Sequence, residues 1–282
     1  MTALEPASAR PRSSRALGAW PVMAVAAVAG VVLALPVIVL VGRAAFDGSL
    51  AAAVGNRVVV DALTLSLLTT SASIVLTIGL GLPLAFVLAR RTFRGAALLE
   101  AVVDLPIVLP PSVAGLALLL VLGRRGLLGE PLQALGLELP FTTAAVVIAQ
   151  TFVSAPFFIR SARAGIAGVA RDLEDAARVD GASERQLFRA ITLPLAGPAI
   201  AAGLVMCWAR ALGEFGATIM FAGNVEGQTQ TLPLMVYGEF QSGGLDASIA
   251  AAAILVLAAF GVLVAVRLLH WGRAIDAPST LG

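Results

Sequence analysis

Two clusters of residues carry the types and spacings from which chemistry could be built. In the first, Arg210 and Glu214 stand four residues apart, one helical turn, so a guanidinium and a carboxylate can meet on a helix face, with Gly213 and Gly216 on either side of the carboxylate. The second cluster reads as two short helices around a glycine. Leu173, Ala176 and Ala177 share a face at helical spacing, bordered by Asp172, Glu174, Asp175 and Arg178. Gly181 stands where a helix would end in the left-handed conformation open to glycine. Ser183-Glu184-Arg185-Gln186 then has the form of a capping box, and Leu187, Phe188 and Ile191 give the next helix an apolar face. Pro194 and Pro198 mark a bend beyond it. Two readings of this second cluster stay open on these features: an amphipathic loop resting on a membrane surface, or a helical knob that docks a partner protein.

Several catalytic chemistries are absent by composition. Every basic residue other than His270 is Arg, so a phosphate loop with its Lys is missing. A lone His270 excludes a zinc-binding HExxH pair, and a lone Cys207 excludes an intrachain disulfide. No GxSxG nucleophile turn occurs. No metal or other cofactor is expected, and the chain reads as a non-enzyme.

The elements that must position both clusters are membrane helices. The chain has 282 residues, 59% of them hydrophobic and 13% charged, where soluble domains carry roughly 25% charged residues. Uncharged stretches recur over Ala16–Gly42, Ala62–Ala89, Leu105–Gly123, Leu139–Ile159, Ala190–Ala209 and Ala247–Val266. Each approaches the roughly 20 residues that a helix needs to cross a bilayer, and in lipid the backbone must satisfy its own hydrogen bonds. The expected fold is therefore all-α and polytopic, with about six transmembrane helices in one domain over 16–273, an N-terminal tail over 1–15 and a C-terminal tail over 274–282. The first apolar run, at 27 residues, exceeds the 7–15 of a signal-peptide core, so it reads as a retained helix despite Arg10, Arg12 and Arg15 before it.

Alternating six spans from a cytoplasmic N-terminus puts fourteen Arg on the inside segments and five outside. The positive-inside rule then places both termini in the cytoplasm. A pI near 9.4 is this membrane signature, and no hydrophilic domain exists on which to build a nucleic-acid site. Two connections exceed a turn: Arg160–Arg189 on the cytoplasmic side and Arg210–Asp246 outside. No Lys, Arg or His falls inside the six predicted spans, which argues against an ion-coupled carrier. Gly79 and Gly81, and Gly197, Ala199, Ala201, Ala202 and Gly203, suit close helix packing. Pro106, Pro110 and Pro111 preset a helix start at the third span.

The stretch Asp175-Ala176-Ala177, three residues, Gly181, nine residues, then Ile191-Thr192-Leu193-Pro194 resembles the EAA motif of ABC-importer permeases, with Asp175 in place of Glu and Glu174 beside it able to share the role. The resemblance extends from about Ala62 to Tyr237. Leu109-Pro110-Pro111-Ser112-Val113-Ala114-Gly115, Gly123-Arg124-Arg125-Gly126 and Ala209–Thr218 with its Gly-Glu-Phe-Gly core are similar to the molybdate subfamily, with tungstate permeases equally close. Sulfate permeases share the Gly-Glu-Phe-Gly core and the Thr231-Leu232-Pro233-Leu234 pattern, and stand as the alternative.

The resemblance implies an ABC-importer permease fold in the inner membrane. The cytoplasmic loop would be a coupling helix, with Glu174, Asp175, Ala176, Ala177, Gly181, Ile191, Leu193 and Pro194 as its residues. The implied partners are a second copy of the chain, a cytoplasmic ATPase dimer, an oxyanion-binding protein (periplasmic or lipid-anchored) and membrane lipid. Arg210, Gly213, Glu214 and Gly216 become candidate pathway residues, where a paired Arg could draw in a dianion without holding it tightly, or could serve structure alone.

Overall fold

The computed structural model describes residues 19–275, so the expected tails fall almost wholly outside the described residues, as do Arg10, Arg12 and Arg15. Among the described residues every regular element is helical. In chain order these are α1 (Ala19–Phe46), α2 (Ser49–Val54), α3 (Arg57–Arg90), α4 (Ala96–Val108), α5 (Pro111–Leu122), α6 (Gly129–Ala134) and α7 (Thr143–Ala167). After α8 (Arg171–Val179) and α9 (Glu184–Leu187), a π-turn over Phe188–Thr192 leads into α10 (Leu193–Leu212). The chain ends with α11 (Gly216–Phe221), α12 (Leu232–Gln241) and α13 (Leu245–Ile275).

Among the described residues five helices are long and apolar enough to cross a membrane, and six spans result if α4 and α5 together count as one. That pair departs from the uninterrupted helix expected over 105–123, because α4 and α5 meet at a bend of 118°. The cause is Pro110-Pro111. A residue preceding proline is pushed out of the helical region, so Leu109 (ψ 133°) and Pro110 (ψ 133°) are both extended. Pro111 then opens α5 at the position where its missing N–H costs nothing, and the Pro110 carbonyl accepts from Ala114 N at 3.0 Å.

Side-chain caps, not hydropathy, fix where α3 and α7 begin. Asn56 caps α3 by accepting from Val58 N at 2.9 Å. Thr142 does the same for α7, accepting from Ala145 N at 3.3 Å. At its other end α7 continues past Ile159 to Ala167 and carries Arg160 and Arg163 within a spanning helix, and Arg210 sits in the last turn of α10. The expectation of spans free of basic residues is therefore corrected.

α7 is the central element. One core cluster joins it to α3 and α10 through Ala85, Leu88, Phe158, Ala162, Ala196 and Cys207. A second joins it to α5 and α11 through Ala114, Leu118, Val146, Ala149, Ala217 and Phe221. The abundance of Ala lets backbones approach closely, which is how helices associate where lipid tails are as apolar as side chains. At Gly203 a Cβ would stand 2.7 Å from that of Ser161, whose hydroxyl donates to Ala199 O at 2.7 Å. Gly81 likewise faces Phe158 and Ile159, whereas Gly79 and Gly197 face open space.

A polar seam lies between α3 and α7. Ser66, Thr69, Thr70, Ser73 and Thr77 are buried at helical spacing on α3, opposite Gln150 and Ser154 on α7. Thr151 Oγ1 donates to Ser73 Oγ at 3.1 Å, and Cys207 Sγ lies 3.3 Å from Ser154 Oγ. The connection 210–246, expected on the outer side, is not a hydrophilic loop. It folds back as α11 and α12, burying Phe221, Thr229, Thr231, Leu232 and Leu234, and Leu232 N donates to Ser66 Oγ at 2.7 Å.

Candidate functional site

The hairpin formed by α8 and α9, expected on the cytoplasmic side, is built from local rules. Gly181 has φ +86° and ends α8 as spacing predicts, with Gly181 N donating to Arg178 O at 3.0 Å and Ala182 N to Ala177 O at 2.9 Å. These two bonds form a Schellman motif and satisfy carbonyls that the helix end would leave orphaned. Ser183 and Gln186 complete the capping box: Ser183 Oγ accepts from Gln186 N at 3.4 Å, and Gln186 Oε1 accepts from Ser183 N at 2.9 Å. Arg178 bridges the two helices, with Nη1 2.7 Å from Asp175 Oδ1 and Nε 2.7 Å from Glu184 Oε1. The hydrogen bonds that Arg178 donates to Glu184 and then to Asp175 push its guanidinium further above its ordinary range.

Glu174 and Asp175, expected to share one role, are divided between the interior and the surface. Glu174 is buried, pairs with Arg90 Nη2 at 2.5 Å and accepts from Thr192 Oγ1 at 2.8 Å. Arg90 also donates to Val169 O at 3.3 Å, so one buried cluster ties α8, the end of α3 and the π-turn together. Asp175 is 68% exposed. Among the other motif residues, Ala176, Gly181 and Pro194 are exposed, while Ala177, Ile191 and Leu193 are half-buried. Ile191 packs against the α3–α7–α10 core. Leu187 is buried and Phe188 sits edge-on to Phe86 at 5.3 Å, so both face inward. The apolar side chains that the hairpin presents outward are Leu173 and Val179, with Ala176 between them. The π-turn follows from Pro194, which has no N–H for the α-helical bond and whose ring crowds the carbonyl four residues earlier. Leu193 N bonds Phe188 O instead.

At the opposite end, Arg210 Nη1 lies 2.6 Å from Glu214 Oε2, and Glu214 Oε1 accepts from Ala217 N at 2.7 Å. Glu214 is 1% exposed against 27% for Arg210. Gly213 ends α10 and Gly216 opens α11, where a Cβ would stand 2.8 Å from that of Pro111. The structure therefore brings all four candidate pathway residues into the joint between α10, α11 and the start of α5. Arg124, by contrast, forms an exposed pair with Glu138 at 2.7 Å.

A third charged group was not singled out by sequence reasoning. Arg163 Nη2 lies 2.8 Å from Glu100 Oε1, and Arg160 Nε lies 3.7 Å from Asp104 Oδ1, both across α4 and α7. The spacing of Glu100 and Asp104, and of Arg160 and Arg163, places each pair on one helix face and is the signal that could have found them. Among the described residues no group of three or more His, Cys, Asp or Glu is arranged to hold a metal.

The family model described as "Binding-protein-dependent transport system inner membrane component" matches residues 81–271. The chain is 44% identical over 205 residues to the Molybdenum transport system permease protein ModB of Mycobacterium tuberculosis, covering 73% of this chain and 77% of that protein. It is 41% identical over 199 residues to ModB of Escherichia coli strain K12, covering 70% and 87%. Against the Molybdate/tungstate transport system permease protein WtpB of Pyrococcus abyssi it is 38% identical over 238 residues, covering 84% and 89%. Among solved structures, a chain of the bacterial alginate ABC transporter, crystallised with its alginate pentasaccharide-bound periplasmic protein, superposes with a TM-score of 0.69 at 20% identity. That match covers 92% of this chain and 96% of the other.

Proposed function

This chain belongs to the family of binding-protein-dependent transport system inner membrane components, and on that premise we propose that it forms the molybdate pathway of an ATP-driven importer. It is a multi-pass inner-membrane protein of the ABC-importer permease fold, and not an enzyme. Two copies line one pathway, both termini lie in the cytoplasm, and a separate ATPase dimer supplies the energy. A binding protein outside delivers a tetrahedral dianion, molybdate or the near-identical tungstate. The named relatives support that substrate class.

The observation that carries the reading is the cytoplasmic hairpin. It is rigid by local construction, welded to α3 through the buried Arg90–Glu174 pair, and presents Leu173, Ala176 and Val179 with no partner on its outer face among the described residues. A helical knob so anchored can transmit a partner's movement to α3 and α10 as one body. The ATPase seats on that face. Arg210, fixed by Glu214, offers its remaining donors at the outer joint and draws in the dianion without a deep well.

The reconstituted complex, with ATPase and binding protein, should import radiolabelled molybdate in strict dependence on ATP and regardless of a collapsed proton gradient. Transport of sulfate with no transport of molybdate would reassign the chain to the sulfate-type permeases, and gradient-driven uptake without ATP would refute the importer reading.

A further inference from the structure

The charged faces of α4 and α7 open onto one cavity of about 500 Å³, whose walls include Glu100, Asp104, Arg160 and Arg163 beside Leu88 and Ile159. Arg160 lies seven residues and Arg163 four residues before the end of α7 at Ala167. Ile159, next to Arg160, packs on Gly81, nine residues before Arg90, which places Arg160 about 13 Å inward of the Arg90 end of α3 at 1.5 Å per residue. The arginine side chains are nonetheless 63% and 40% exposed, and their partner carboxylates 40% and 31%. Ionised groups this open cannot face acyl chains without a solvation penalty, so the cavity faces water or another polar surface.

We propose that this cavity is a charge-compensated station for the transported dianion on the cytoplasmic half of the pathway. Arg160 and Arg163 take the tetrahedral oxyanion in passage, and Glu100 and Asp104 keep its binding shallow. The inference rests on the oxyanion reading above and deepens it. A guanidinium offers forked N–H donors that match the oxygens of a tetrahedral oxyanion. Two uncompensated guanidinium groups in a cavity of low dielectric would hold a dianion tightly and stall its release. Conduction needs binding strong enough to admit the ion and weak enough to let it go. Carboxylates within reach of the same N–H groups supply that weakness, because they reclaim the donors as the dianion leaves. The 3.7 Å separation of Arg160 from Asp104 exceeds hydrogen-bonding distance, so Arg160 is the donor most ready to engage.

The competing explanation is that the two ion pairs merely staple α4 to α7, and the two accounts differ in sign. The test uses the complete importer in proteoliposomes, with internal molybdate varied and uptake of radiolabelled molybdate followed. Arg160→Gln with Arg163→Gln should slow initial uptake roughly tenfold, about the worth of one charge-assisted hydrogen bond, while insertion and ATPase binding stay normal. Glu100→Gln with Asp104→Asn should make transport more sensitive to internal molybdate, with half-inhibition at roughly tenfold lower concentration. Wild-type behaviour from either pair, or loss of uptake in both pairs with unchanged sensitivity to internal molybdate, would overturn the station and leave wild-type import intact. An inert wild type would instead remove the oxyanion reading on which the station stands.

Discussion

Glu174→Gln is the sharpest perturbation of the α8–α9 hairpin, because it removes one charge and almost no volume. In the native protein the Glu174 and Arg90 side chains are 4% and 9% exposed. Removing one partner of such a buried pair costs roughly 3–5 kcal/mol, since the other charge stays buried without compensation. Here the figure is reduced. The amide oxygen of Gln can still accept from Thr192 Oγ1, and Arg90 keeps its bond to Val169 O, so about 2–3 kcal/mol is expected. That corresponds to a roughly 30- to 150-fold rise in the population with α8 undocked from α3. The effect is local opening of a helical unit, not unfolding of the bundle. Hydrogen exchange should therefore speed up over residues 171–187 and remain slow in α7, and affinity for the ATPase should fall. Arg90→Gln added to Glu174→Gln should recover part of the loss by removing the orphaned charge. Asp175→Asn is the control, since Asp175 is 68% exposed and its pair with Arg178 falls in the range of 0–1 kcal/mol typical of surface bridges. Equal exchange rates in the Glu174→Gln and Asp175→Asn proteins would refute the argument that Glu174 is the anchor.

Gly181→Val should leave the protein expressed and inserted but weaken ATPase binding. A Cβ there meets nothing within 4 Å, so the penalty of about 1–2 kcal/mol is purely the left-handed backbone, and Gly181→Asn should be far milder in the same binding assay. Normal transport by a well-expressed Gly181→Val protein would count against the hairpin as the transmission element. Orientation is tested with single cysteines in a Cys207→Ser background. A cysteine at Glu226, in the exposed turn between α11 and α12, should react with an impermeant reagent from outside, whereas one at Ser183 should react only after permeabilisation.

Much of the hairpin is legible in the sequence because its interactions are short-range. The Schellman bonds around Gly181 and the Ser183–Gln186 box join residues at most five apart, so residue type and spacing suffice to predict them. Local spacing also foresees the Arg210–Glu214 pair. The division of labour between Glu174 and Asp175 was not legible, because adjacent residues on a helix differ by about 100° in direction, and which one faces inward depends on where Arg90 arrives from α3. The direction of Leu187 and Phe188 was not legible for the same reason: an apolar face says that something covers it, not whether the cover is a partner or the chain's own Phe86.

The membrane character follows from composition alone, since apolar stretches of this length have one stable solution in lipid. The positions of the proline pair, the glycines and the caps likewise set the local breaks and turns. Tertiary structure decided how those pieces combine. It turned the third span into a helix pair bent by 118°, folded the segment after Arg210 back into the core, and carried α7 far enough to set Arg160 and Arg163 opposite Asp104 and Glu100. Hydropathy averages over a window and measures only transfer into lipid. It is blind to charges that a neighbouring helix, tens of residues away in the chain, pairs.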